Sequence, residues 1–157
     1  NNNIYLVPAF TGLGAPYWDA NARGVLSGIT RDTSPKEIVR ATIEAVAYQT
    51  YDLFEAMKHD GLRPKIVKVD GGMVMNNWFS QFLSDIVNVK VLRPKVQETT
   101  AAGAAFMAGL HIGVYKSLKD ISKKWQLNKK FQPKIKPATR ISLLKGWSVA
   151  IKRTLIT

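Results

Sequence analysis

Cysteine is absent from the 157-residue sequence, and histidine occurs only twice, at His59 and His111. The absence of cysteine excludes disulfides, cysteine-based zinc sites and thiol nucleophiles. It is also typical of a reducing compartment, so we predict a cytoplasmic protein. Two histidines are too few for a convincing metal centre, and we predict no metal ligand in this chain. No apolar run approaches the roughly 20 residues of a membrane helix, so we predict no membrane partner.

Acidic residues are scarce, and the scarcity is uneven along the chain. The sequence carries 23 Lys and Arg against 11 Asp and Glu, and residues 101–157 hold twelve basic residues against one acidic residue. Lys116, Lys119, Lys123 and Lys124 recur at helical spacing, as on a solvated helix face. Neither a recognition helix nor an aromatic-rich sheet motif accompanies them. We therefore predict a lysine-rich surface and no nucleic-acid partner.

The order of predicted elements indicates an α/β protein. Apolar patterning predicts strands over residues 4–7, 65–69 and 89–92 and helices over residues 35–58, 78–86, 101–111 and 142–156. Strands and helices that alternate over short connections form parallel α/β units, in which ligands bind at the carboxyl ends of the strands. The carboxyl end of the second strand, at Asp70-Gly71-Gly72, is therefore the position where we expect a ligand.

The segment from Gly71 to Asn77 has the composition of a binding corner. Gly71 and Gly72 allow a sharp turn and a close approach of a ligand to the backbone. Asn76 and Asn77 stand at the start of the next helix, where free amide hydrogens and the helix dipole favour polar or anionic groups. The same residues also fit an ordinary tight turn followed by an asparagine cap, and the pattern alone leaves both interpretations open.

Motifs of other chemistries are missing. The sequence contains no phosphate loop of the Gly-x-x-x-x-Gly-Lys-Ser/Thr type, no Gly-x-Gly-x-x-Gly and no His-Glu-x-x-His. Asp19, Asp32, Asp70 and Asp85 are the candidate bases, and for each we favour a structural role. A Ser-His-Asp arrangement stays open, although nothing around Ser27 or Ser80 has the form of a nucleophile elbow.

Four segments resemble the glycerol kinases, a group of the carbohydrate kinases that share the actin-like, ribonuclease-H-like fold. Residues 7–24 contain VPAFTGLGAPYWD and ARG, and residues 24–44 follow the pattern of a second signature of that family. The segments DGGMVMNN at residues 70–77 and TAAGAA at residues 100–105 resemble the family's adenosine segment and the helix after it. Pentulose kinases of the family usually carry a different segment at Gly14-Ala15-Pro16, which favours glycerol.

The resemblance implies ATP-dependent phosphorylation of glycerol to sn-glycerol 3-phosphate, with Mg²⁺, in a cleft between two actin-like domains. By position, Gly72 and Asn76 match adenine-nucleotide ligands, Gly71 supports the turn, and residues 13–15 lie near the nucleotide. The family's catalytic Asp lies in a segment that precedes the point where this chain begins, so the resemblance implies that this chain contributes no catalytic residue. Residues 1–157 then form the C-terminal part of the second domain, without its first strands, and the N-terminal part of the same protein is an expected partner.

Further expectations follow from the same resemblance. The helix over residues 35–58 is similar to one used between subunits, which implies a homo-oligomer. Ala102 stands where the family usually has Leu, and we expect a small cavity there. Two alternatives stay open: another sugar kinase of the same family, and a non-catalytic nucleotide-binding or interaction domain. The chain begins with Asn, not Met, which favours a piece of a longer protein.

Overall fold

The computed structural model describes residues 2–155 as two small sheets and five α-helices. The elements in chain order are β1 Tyr5–Val7, β2 Val25–Ser27, α1 Pro35–His59, β3 Ile66–Lys68, a short 3₁₀ helix Gly72–Met75, α2 Asn77–Val87, β4 Lys90–Pro94, α3 Thr99–His111, α4 Leu118–Ser122, β5 Leu127–Phe131 and α5 Pro137–Thr154. Within these residues, no helix combines the length and hydropathy that crossing a bilayer requires.

The strands form one two-stranded and one three-stranded sheet. Strands β1 and β2 pair antiparallel, whereas β3 and β4 pair parallel with helix α2 between them along the chain. The predicted parallel unit is therefore confirmed. Strand β5 pairs antiparallel with β4 and was not predicted, because four of its five residues are exposed and three of those, Asn128, Lys129 and Lys130, are polar.

Helix α1 begins where the sequence predicts. Ser34 and Glu37 form a capping box, in which each side chain accepts a hydrogen bond from the backbone N–H of the other residue. Pro35 occupies the first helical position. The buried face of α1 was predicted less well, because the apolar pattern of residues 35–58 includes Val46 and Leu53. Val46 and Leu53 are exposed, whereas the buried positions of the helix include Glu44 and Asp52, which are polar.

Aromatic rings join the helices to the first sheet. The Tyr48 ring stacks on Trp147 of α5 at a centroid distance of 5.2 Å and meets Phe82 of α2 edge-on at 5.7 Å. Tyr5 of β1 lies 5.7 Å from the same ring. Helix α5 can come this close because residue 146 is Gly, and a Cβ there would lie 2.2 Å from the Tyr5 hydroxyl. These contacts form the centre of the core.

The helices after β4 differ from the predicted ones in their bounds or their burial. Helix α5 begins at Pro137, five residues before its apolar pattern, because proline suits the first helical turn. Ile156, the predicted helix end, lies outside the described residues. Helix α3 buries only Gly109, and helix α4 buries no residue. Of the four lysines predicted on one helix face, only Lys119 lies within α4, and Lys116, Lys123 and Lys124 flank this short helix.

Candidate functional site

The turn after β3 is built by backbone geometry. Val69 still donates to the Leu92 carbonyl of β4 (3.1 Å), and Gly71 donates to the Gln97 carbonyl (3.3 Å), so the parallel pairing extends past the strand. Gly71 has a φ of +84°, in the left-handed region that favours glycine. No atom lies within 4 Å of a Cβ built on Gly71 or on Gly72. The turn therefore presents its backbone to open space at the carboxyl edge of the sheet.

Asn76 caps helix α2 with one half of its amide. Its Oδ1 accepts hydrogen bonds from the backbone N–H of Trp78 (2.9 Å) and of Phe79 (3.2 Å). This is the ordinary asparagine cap that the sequence left open as one of two interpretations. Because only the oxygen is used, the Nδ2 amino group of this exposed side chain keeps two N–H donors available for a ligand beside Gly72.

Arg93 fixes the 3₁₀ helix between Gly72 and Asn76, and sequence reasoning missed it. Its guanidinium Nη1 donates to the carbonyls of Val74 (2.7 Å) and Met75 (3.1 Å), and its Nε donates to Asn128 Oδ1 (3.0 Å). The side chain is buried, with 6% of its surface exposed. An arginine in a five-residue strand between apolar positions was the available signal, since a buried guanidinium needs a dedicated set of acceptors.

An aromatic surface continues from the corner onto helix α2. The Trp78 indole is 40% exposed, stacks on Phe82 at 5.1 Å and lies 4.9 Å from the Arg40 guanidinium carbon. Met73 and Met75 are also exposed. Polarizable methionine and aromatic side chains next to an amide donor can accommodate a flat, partly polar ring.

Residues 13–15 do not join this corner. Leu13 and Asp19 exchange two backbone hydrogen bonds of 2.7 and 2.9 Å, and the loop packs beside Gln49, Asp52 and Ile151 around a cavity of about 30 Å³. Helix α1 starts next to Trp78 through Arg40, and Asp52 lies twelve residues further on, about 18 Å along the axis at about 1.5 Å per residue. The expectation that residues 13–15 lie near the nucleotide segment is therefore not supported by this geometry.

The candidate carboxylates hold structure together. Asp19 Oδ1 accepts from the backbone N–H of Asn21 (2.8 Å) and of Ala22 (3.1 Å). Asp85 Oδ1 accepts from the Gln81 side chain and from the backbone N–H of Lys134, which connects α2 to the start of α5. Asp32 and Asp70 are exposed. In residues 2–155, no group of three or more carboxylate and imidazole side chains is placed to hold a metal ion.

The burial of the Asp52 carboxylate was not anticipated. Asp52 Oδ2 accepts from the Trp147 indole Nε1 (2.8 Å), and Tyr17 also hydrogen-bonds to this carboxylate. Burial raises the pKa of Asp52 above its ordinary value, against the lowering effect of the two hydrogen bonds. The group connects the loop after β1 with helices α1 and α5, so its role is structural.

Ala102 lies on the wall of a cavity of about 310 Å³ beneath helix α3. The cavity lies between α3, the ends of β3 and β4, and the segment around Trp125. The sequence led us to expect a small cavity at this alanine, and the observed space is large enough for a ligand.

Comparison with known proteins gives a consistent result. Residues 1–112 match the FGGY family of carbohydrate kinases, C-terminal domain. Glycerol kinase 1 of Pseudomonas aeruginosa is 55% identical over 153 residues, which are 98% of this chain and 31% of that protein. The structure of Plasmodium falciparum glycerol kinase with ADP gives a TM-score of 0.85 at 36% identity and covers 99% of this chain and 31% of that one.

A gluconate kinase structure from Lactobacillus acidophilus is more distant, with a TM-score of 0.74 at 28% identity over 96% of this chain and 30% of that one. The chain thus spans about 30% of the length of these relatives. The agreement in backbone confirms the predicted actin-like, ribonuclease-H-like α/β fold class. On the match of residues 1–112 and the identity to curated relatives, the chain belongs to the FGGY family of carbohydrate kinases, in its C-terminal domain.

Proposed function

We propose that this chain supplies the adenosine side of the nucleotide site in an ATP-dependent glycerol kinase, a cytoplasmic enzyme that makes sn-glycerol 3-phosphate. Gly72 and Asn76 contact the nucleotide, and Gly71 shapes the turn. The 55% identity to a relative named glycerol kinase supports the acceptor, and the neighbour solved with ADP supports nucleotide use. Residues 1–157 then form the C-terminal part of the second domain.

The position of the Asn76 amide carries the proposal. Its oxygen accepts from two backbone N–H groups, which orients the exposed side chain, and we propose that its amino group faces a nucleotide bound beside Gly72. An amide N–H pair can donate to a ring nitrogen of adenine or to a ribose oxygen. Arg93 contributes indirectly, because it holds the carbonyls of the turn that leads to Asn76.

The phosphoryl-transfer chemistry belongs to the longer protein. Such transfer depends on positioning and on electrostatic stabilisation of the moving phosphoryl group, with a base near the acceptor hydroxyl. Because the family resemblance places the catalytic Asp in a segment that this chain does not contain, we assign neither that Asp nor the metal to residues 1–157. Both are proposed to come from the N-terminal part, and the isolated chain is expected to be inactive.

The unpaired edges of the two sheets in the described residues also favour a partner from the same protein. Strands β1 and β3 each pair on one side within the described residues, and α1 packs on both β1 and α2. We propose that strands of the N-terminal part lie between β1 and β3. A homo-oligomer is proposed as well, because α1 exposes Val39 and Val46 beyond the core, and sedimentation of the longer protein would test it.

The decisive experiment compares a substitution of Asn76 with one of the neighbouring Asn77 in the longer protein. Asn76→Ser keeps an N-cap acceptor but removes the amide donor, so we expect an ATP KM about tenfold higher with the glycerol KM unchanged. Asn77→Ala is the matched control at the neighbouring exposed position and should leave both constants unchanged. Steady-state kinetics with each substrate varied in turn measure the effect.

Three other outcomes would each contradict a different part of the proposed function. An unchanged ATP KM in Asn76→Ser would contradict the assignment of this corner to adenosine. Phosphorylation of gluconate or xylulose in preference to glycerol would retain the nucleotide site but replace the acceptor. Turnover by the isolated 157-residue chain would show that the catalytic groups lie within it.

A further inference from the structure

The cavity beneath α3 has apolar walls and two cationic side chains. Val96, Ala102, Phe106 and Trp125 contribute apolar surface from three separate segments. Its volume of about 310 Å³ lies at the small end of the range for ligand pockets, about 300 to 1,000 Å³. It opens at the carboxyl ends of β3 and β4, the edge where parallel sheets bind ligands. The cavity therefore has the size, lining and position of a small-molecule site.

The charges on the cavity have one sign. Lys68 and Lys124 are the two charged side chains among its described lining residues. The Lys68 Nζ lies 4.3 Å from the Trp125 ring centroid, which places an ammonium group over an aromatic wall. The Thr99 hydroxyl adds a neutral donor to the lining, whereas the Ser122 hydroxyl already donates to the Lys119 carbonyl (2.8 Å). An anionic group at this end would meet an ammonium and a hydroxyl donor, while the far wall is apolar.

From this arrangement we infer that the cavity binds a small aromatic carboxylate. The ring enters between Ala102, Phe106 and Trp125, and the carboxylate faces Lys68 and Lys124. A neutral aromatic compound would use the walls but leave the Lys124 ammonium without an anion and Lys68 with the Trp125 ring alone. A small inorganic anion would meet the cations but leave the apolar walls hydrated. The combination favours a ligand that carries both features, and the inference is independent of the proposed kinase function.

Ala102 makes this space available. It lies on the face of α3 that carries Thr99, Gly103 and Phe106, all of which line the cavity at helical spacing. A leucine at this position would place three more carbon atoms into the space. The same substitution at Ala104, an exposed position that does not line the cavity, would leave the space unchanged. The two positions therefore form a matched pair on one helix.

The test is calorimetric titration of the purified chain with 2-naphthoate, with 2-naphthylmethanol as its neutral counterpart. We expect a Kd on the order of 0.1 to 1 mM for the acid, as for other fragments of this size. The alcohol should bind at least about fivefold more weakly, because it lacks the charge that the two ammonium groups attract. Ala102→Leu should weaken binding of the acid at least about tenfold, whereas Ala104→Leu should bind it as the parent chain does.

The cationic end has its own control. Lys124→Met should weaken binding of the acid more than binding of the alcohol, because Lys68 alone then faces the carboxylate, while Lys130→Met, on β5 outside the cavity, should change neither. Equal affinity for acid and alcohol would overturn the assignment of an anionic ligand. Equal binding by Ala102→Leu and Ala104→Leu would overturn the location, and no heat of binding at 10-fold the expected Kd would overturn the site.

Discussion

The body of the protein and the segment from α3 to α4 are built in opposite ways. In the body, α1 and α2 pack on each other and on β1 and β4, and the centre is the Tyr48 ring between Trp147 and Phe82. In the other segment, thirteen residues of α3 bury one glycine and α4 buries nothing. The same chain thus contains a dense core and a helix that lies over an open cavity.

Side-chain size explains the contrast. Helix α3 has seven Ala and Gly residues among thirteen, so it removes little apolar area from water wherever it packs. Helix α1 instead directs Tyr48 and Phe54 inwards and buries even Glu44. Small residues permit close approach, which the Tyr115 ring makes at Gly109, whereas a Cβ built on Gly103 would meet open space. The stability of the fold therefore lies in the body, while the α3 segment provides space for binding.

The largest expected difference in stability between the two regions comes from truncating one tryptophan in each. Trp147→Ala removes a fully buried ring and leaves Asp52 without its indole donor, so we expect the free energy of unfolding to fall by about 3 to 5 kcal/mol. Trp125→Ala removes a half-buried ring from the wall of an open cavity and should cost about 1 kcal/mol or less. Urea unfolding measures both. Equal losses would show that the two regions are equally well packed.

A smaller effect with a change of sign is expected when leucine replaces alanine in each region. Ala47 is fully buried on α1, so Ala47→Leu overfills the core and should lower the free energy of unfolding by about 1 to 3 kcal/mol. Ala102→Leu fills an existing cavity and should raise it by about 1 kcal/mol, or about 2 to 4 °C in Tm. Destabilisation by both substitutions would mean that the cavity does not exist in solution.

The sequence predicted the features that depend on local chemistry. Ser34, Pro35 and Glu37 specify the start of α1 within a few residues, and the pair of glycines after β3 specifies the turn. Arg93 was missed because its acceptors, the carbonyls of Val74 and Met75, lie about 18 residues away along the chain. A guanidinium at a strand position gives no sign in the sequence of which carbonyls it will meet.

Long-range pairs were missed for the same reason. Asp52 and Trp147 are 95 residues apart, and periodicity assigns the first to an exposed helix face. Strand β5 was missed because its exposed lysines do not alternate with apolar residues, although pairing with β4 satisfies its backbone. The assignment of Gly72 and Asn76 to a ligand came from family resemblance, since the same turn and cap serve proteins that bind nothing there.

The smallest predicted effect concerns the carboxylate that joins the body's elements. Burial raises the pKa of Asp52, with Tyr17 and Trp147 donating to it and Glu55 nearby. The folded state therefore binds this proton more tightly than the unfolded state, in which the pKa is about 3.9. Stability from this group is fully present below about pH 4 and is lost as the pH rises through the raised pKa.

Asp52→Asn keeps an acceptor for the indole without the charge, so its stability relative to the parent chain should increase over that window. Unfolding free energies from pH 4 to 8 test this, with the exposed Asp32→Asn as the control that should track the parent chain. A constant difference between Asp52→Asn and the parent would show that the carboxylate is not desolvated when the core is folded.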